Sequence, residues 1–123
     1  MKKIIRKTAY FSGLACGFYM MVAQAAFLSA VPEIPLAPGM KENTQSTLIF
    51  DKAEGRIIAS EALTDRSTDE ILTFYRSVLP NLGWAPSGNG WTKPNELKFH
   101  RSGEALIIRV EGGVVFFKLR PDA

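Results

Sequence analysis

The chain has 123 residues, 46% hydrophobic and 22% charged, with a formal net charge of +3. All 12 acids lie beyond residue 25 and four of the 15 cations lie before it, so the remainder carries 11 cations against 12 acids, a net −1. The basic excess therefore belongs to the N-terminus, and nucleic-acid binding by a basic domain is excluded.

Lys2, Lys3, Arg6 and Lys7 precede a run from Thr8 to Val31 without a charge. A basic end, an apolar run and small residues form the layout of a secretory signal. Ala23-Gln24-Ala25 suits a signal peptidase, which places the cut between Ala25 and Ala26. Residues 1–25 then leave as a signal peptide, and the remaining 98 residues form a periplasmic or secreted protein. Alternatively the run stays, since roughly 20 apolar residues span a bilayer. Residues 8–31 are then the membrane contact, an inner-membrane anchor with a cytoplasmic N-terminus. Gln24, Ser12 and Ser29 weaken a span, and cleavage is the preferred reading. A lipoprotein signal fits less well. Cys16 has Gly13 three residues before it, where Leu is usual, and an apolar run after it. It is the only cysteine, so a chain beginning at Ala26 has no disulfide, no thiol nucleophile and no thiolate metal site.

Residues 26–46 read as a linker or strap. Prolines at 32, 35 and 38 favour extended chain and exclude helix. Ile34 and Leu36 are apolar enough to pack, which favours a strap over a free spacer. A small α+β domain is expected over 47–123. Thr47 to Asp51 and Arg56 to Leu63 form a hairpin across a turn ending at Gly55. A helix follows, with Ser67 and Glu70 as a capping box and Asp69 and Glu70 in the first turn. Ile71, Leu72, Phe74, Tyr75, Val78, Leu79 and Leu82 give it a broad apolar stripe. Pro80 predicts a kinked or 3₁₀ last turn, Gly83 a stop, and Trp84 packing at the helix end. Ala85 to Asn95, rich in Pro, Gly, Ser and Asn, reads as a loop that a short strand around Trp91 could interrupt.

The last third is a meander: Glu96 to Arg101, Glu104 to Glu111 and Val114 to Arg120. Ser102-Gly103 and Gly112-Gly113 are two-residue turns that set its register. Phe99 faces Leu106, Leu97 faces Ile108, Val110 faces Val115, Ile108 faces Phe117 and Leu106 faces Leu119. These residues share one apolar face, which the helix must cover. The predicted fold is α+β: one amphipathic helix on one face of an antiparallel sheet, order β-β-α-β-β-β, after an N-terminal signal or transmembrane helix.

The other face is mostly polar, with an apolar streak of Ile107, Val114 and Phe116. That streak, or alternatively the loop carrying Trp91, is the candidate surface for an envelope protein partner. A second hypothesis is a small ligand-binding protein or hydrolase using Asp51, Glu54, Arg56 or His100, which requires those groups to converge in a pocket. No catalytic motif supports it. No G-x-S-x-G, phosphate loop or zinc ligand set is present, His100 reads as a surface residue, and no base is placed near a serine by the sequence. No cofactor is implied.

Two stretches carry a resemblance. One is Ile34-Pro-Leu-Ala-Pro-Gly-Met40 with Phe50-Asp-Lys-Ala-Glu-Gly-Arg-Ile57. The other is Phe74-Tyr-Arg-Ser-Val-Leu-Pro-Asn-Leu-Gly-Trp84. Together they resemble a group of small exported bacterial envelope proteins, each a leader and one such domain. The resemblance implies a Gram-negative envelope and carries over no catalytic residue. The FY…GW element is also similar to helix-on-sheet modules of envelope lipoproteins that assist larger assemblies, a likeness of fold alone.

Overall fold

The computed structural model describes residues 26–122. The expected signal peptide, Cys16, Ala25 and Ala123 lie outside the described residues. No helix among the described residues is long and apolar enough to cross a membrane.

The chain runs through β1 (Lys41–Lys52), β2 (Gly55–Leu63), α1 (Thr68–Val78), a 3₁₀ turn (Leu79–Leu82), β3 (Ala85–Lys93), β4 (Glu96–Arg101), β5 (Glu104–Glu111) and β6 (Val114–Pro121). The strands form one antiparallel sheet in the order β1-β2-β6-β5-β4-β3. This is the expected α+β order with one strand added after the helix, β3. The meander register is also as expected: Leu97 pairs with Ile108, Phe99 with Leu106, Ile108 with Phe117 and Val110 with Val115. Each of these side chains is buried on the face beneath the helix.

Ser67 caps α1. Its hydroxyl accepts from the Glu70 N–H at 3.1 Å, and the Glu70 carboxylate accepts from the Ser67 N–H at 3.1 Å. The Ser67 hydroxyl also donates to the Glu70 carboxylate at 3.1 Å, and the Ser67 N–H first and this hydroxyl second hold the Glu70 carboxyl below its ordinary value. A lowered folded pKa contributes stability that is complete above the unfolded value and lost as pH falls through the folded one. Ser67→Ala is expected to cost about 1 kcal/mol at neutral pH. Glu70→Gln should be destabilising at neutral pH, and urea titrations should show its gap to the parent closing once both Glu70 states are protonated.

Pro80 sits in the 3₁₀ turn, and Gly83 ends it in the left-handed conformation (φ 91°), a shape that any side chain would strain. Trp84 then turns into the core, fully buried.

Two segments depart from expectation. The region 85–95 is not a loop but chiefly a strand, β3, whose register slips between Pro86 and Trp91 and again between Trp91 and Lys93. Gly88 and Gly90 take positive φ within the first slip. Pro86 is tolerated because β3 is an edge strand. β1 is also longer than the Thr47–Asp51 segment. It starts at Lys41 and pairs with β2 on both sides of a bulge between Asn43 and Leu48.

Residues 26–40 lie on the domain as a strap. Phe27 bridges Pro35, and the Leu28 N–H donates to the Ile34 carbonyl at 2.9 Å. Leu28, Val31, Ile34, Ala37 and Met40 enter the same core as the helix and sheet. Leu28 and Val31 therefore belong to the domain, although they close the uncharged run.

Candidate interaction surface

α1 covers one sheet face, and among the described residues no element covers the face opposite, the open face. Alternation along β5 and β6 sends Ile107, Val114 and Phe116 to it, half-buried among their neighbours. Phe116 pairs with Arg109 on β5 and Glu61 on β2. The Arg109 guanidinium sits 4.1 Å from the Phe116 ring centre and also bonds Glu111. A cation over the ring face is attracted by its quadrupole. Phe116 is thus an apolar plate with a cation held over its face.

A shallow depression of about 410 Å³ crosses this face, lined by Leu48, Ala59, Ile107 and Phe116 with Glu61, Glu96, Arg109 and Lys118 around them. Leu48 is 57% exposed and Phe50 54% exposed. Both extend the apolar streak onto β1, because Leu48 pairs with Ala59 and Phe50 with Ile57 on the open side. Neither residue was expected on this surface from sequence. The signal was present in the Leu48-Ile49-Phe50 triplet, which puts large apolar groups on both faces of one strand.

Trp91 lies elsewhere. It pairs with Leu97, whose side chain is in the core, so Trp91 belongs to the helix side of the sheet. Arg76 of α1 stands 5.2 Å from its ring centre. The two alternatives for a partner surface are therefore on opposite faces. Ala26 is exposed at the start of the described chain.

The polar candidates are dispersed. Arg56 bonds Glu104 at 2.9 and 3.0 Å and Glu33 of the strap at 3.3 Å. The Glu104 bond, then the charges of Glu104 and Glu33, hold the guanidinium above its ordinary value against some desolvation. This cluster ties the strap to the sheet. Asp51 lies across from Arg56, and both Asp51 and Glu54 are exposed. His100 is on the open face three strands away, opposite Ala105. Its Nδ1 is 3.1 Å from the Ser87 hydroxyl. A serine and a histidine are thus together after all, joined across the β3–β4 pair whose register the sequence did not reveal. No carboxylate bonds the imidazole among the described residues, and neither residue lines the depression. Among the described residues, no three His, Cys, Asp or Glu side chains group as metal ligands.

No protein-family model, curated protein or solved structure matches this chain. The geometry alone must carry the functional reading.

A second apolar feature is the groove between strap and helix, about 590 Å³, lined by Phe27, Leu36, Met40, Phe74, Val78 and Leu82. Phe74, Val78 and Leu82 are the part of the helix stripe that the core does not bury.

Proposed function

We propose that this chain is an exported, non-enzymatic envelope protein whose domain is an interaction module binding a protein partner through the open sheet face. The leader pattern supports export, with a cut before Ala26 releasing the domain to the periplasm. Retention of the leader would leave the domain on the same side of the membrane. One observation carries the binding reading: the open face holds four large apolar groups, Leu48, Phe50, Ile107 and Phe116, three of them lining a shallow depression, with charges of both signs set among them. Apolar anchors inside a polar rim are the anatomy of a protein interface.

Phe116→Asp tests this. Phe116 lies on the face away from the helix and core, so the fold should persist, as judged by circular dichroism and the unfolding midpoint. Loss of a central aromatic anchor should weaken the partner at least about 30-fold. The readout is cross-linking of the tagged protein in intact envelopes, followed by titration of the partner recovered. Unchanged affinity with an intact fold would remove this surface from the reading.

A further inference from the structure

β1 is an outer strand of the sheet, and its exposed side carries the largest anomaly on the molecule. Leu48, Ile49 and Phe50 are consecutive, and each is more than half exposed. From Asn43 to Phe50 there is no charge and no proline. From Leu48 to Lys52 the strand is regular, paired residue for residue with β2. The other edge is built differently. β3 contains Pro86, two register slips and a terminal Lys93. Those are the devices by which sheet edges avoid pairing with other chains; β1 has a bulge before Leu48 and a lysine at its end, but the Leu48–Phe50 stretch between them has neither.

We propose that β1 pairs antiparallel with β1 of a second copy, about a two-fold axis through Ile49, joining two sheets into one. The register follows from symmetry. A two-fold that continues an antiparallel sheet stands perpendicular to it, so each face joins its own kind and the axis passes through a residue. About Ile49, Leu48 meets Phe50 of the second copy and Ile49 meets its own equivalent. Asp51 then faces Thr47, and Lys52 faces Ser46. Apolar groups meet apolar groups, and every charge meets a hydroxyl. An axis through Leu48 puts Phe50 against Ser46 and Ile49 against Thr47. An axis through Phe50 puts Ile49 against Asp51 and Leu48 against Lys52. Only the Ile49 register satisfies the strand, and the strand is then its own complement. The occupant is accordingly a second copy rather than a foreign strand.

The contact is confined to one strand edge per copy, far short of the roughly 800 Å² per partner of a standard interface. The dimer is therefore reversible and concentration-dependent. It stands independently of the partner-binding reading, although it sets Leu48 and Phe50 of both copies beside one another on the joined open face.

Single-cysteine variants of the full chain, in a Cys16→Ser background, test the register. Paired residues on neighbouring antiparallel strands lie about 4.5–5.5 Å apart at Cα, within disulfide reach. Ile49→Cys should oxidise to a covalent dimer. Asp51→Cys alone should not, because its equivalents lie about 13 Å apart along the strands. Mixing Asp51→Cys with Thr47→Cys should restore cross-linking. Sedimentation of the cysteine-free protein from micromolar to millimolar concentration should show dimer growing in, and Ile49→Lys should abolish it. A monomer at every concentration would overturn the proposal and leave the edge to a foreign strand. Equal cross-linking at positions 49 and 51, or a dimer surviving Ile49→Lys, would overturn it as well. Phe116→Asp should leave cross-linking at position 49 unchanged, so failure of either reading is visible by itself.

Discussion

Tyr75→Ala is expected to lower the unfolding free energy by about 3–5 kcal/mol, the range for truncating a large buried aromatic. Small domains have about 5–15 kcal/mol in all, so the variant should sit near the edge of folding. Three layers meet at this residue. It is fully buried on α1. Its ring meets Phe117 of the sheet edge-on, with centres 5.6 Å apart, and Phe74 of its own helix at 4.9 Å. Its hydroxyl donates to the Pro35 carbonyl of the strap at 2.7 Å. Tyr75→Phe separates packing from hydrogen bonding. The ring stays, but a buried carbonyl loses its donor, at a cost of about 1–3 kcal/mol. Burial pushes the phenol pKa upward, so the hydroxyl remains a donor at neutral pH. Because the folded value is raised, the stabilisation is complete below the ordinary value near 10 and is lost as pH rises towards the folded value. Urea titrations at pH 7 and pH 11 should show the parent losing stability, while Tyr75→Phe lacks this component of the loss.

The parts legible in sequence were those with a local signal tied to a local geometry. Two-residue turns at Ser102-Gly103 and Gly112-Gly113 allow one register, so both faces of the meander followed, including the place of Ile107 and Phe116. The capping box at Ser67, the 3₁₀ turn at Pro80 and the stop at Gly83 are equally local. β3 was not legible, because Pro86, Gly88 and Gly90 argue against a strand unless the strand is known to lie at an edge. Its slipped register also hid which face Trp91 would take and that Ser87 would meet His100. β1 was legible only where it is apolar. Its polar first half joins the sheet because Lys41 to Asn43 lie opposite Glu61 to Leu63, a long-range pairing without a sequence signature. The strap gave a fainter signal. Its buried residues Leu28, Val31, Ile34, Ala37 and Met40 recur at every third position. Turns from Val31 to Ile34 and from Ala37 to Met40 produce that spacing, and neither the helix nor the strand period detects it.

Ile34→Ala is expected to cost about 2–5 kcal/mol, the range for truncating a buried Ile or Leu. The variant separates an integral strap from a detachable linker. Ile34 is fully buried, its N–H donates to Val31 at 3.0 Å, and its carbonyl accepts from Leu28. Glu33 beside it reaches Arg56, while Ser29 donates from both its backbone and its hydroxyl to Glu42. These polar ties are about one-third exposed or more and contribute little by themselves; the apolar contacts must hold the segment. If they do, the strap unfolds with the sheet. Urea denaturation of Ile34→Ala should then give one transition with a lower midpoint and an unchanged slope. A detachable linker predicts the opposite: an unchanged midpoint, with faster proteolysis confined to residues 26–40. An integral strap also fixes the domain's reach. With Leu28 already in the core, almost no slack separates the folded part from whatever holds residue 25. A retained leader would therefore keep the groove at Phe27 and Leu82 close to the bilayer, whereas a cut before Ala26 would free the domain without loosening its core.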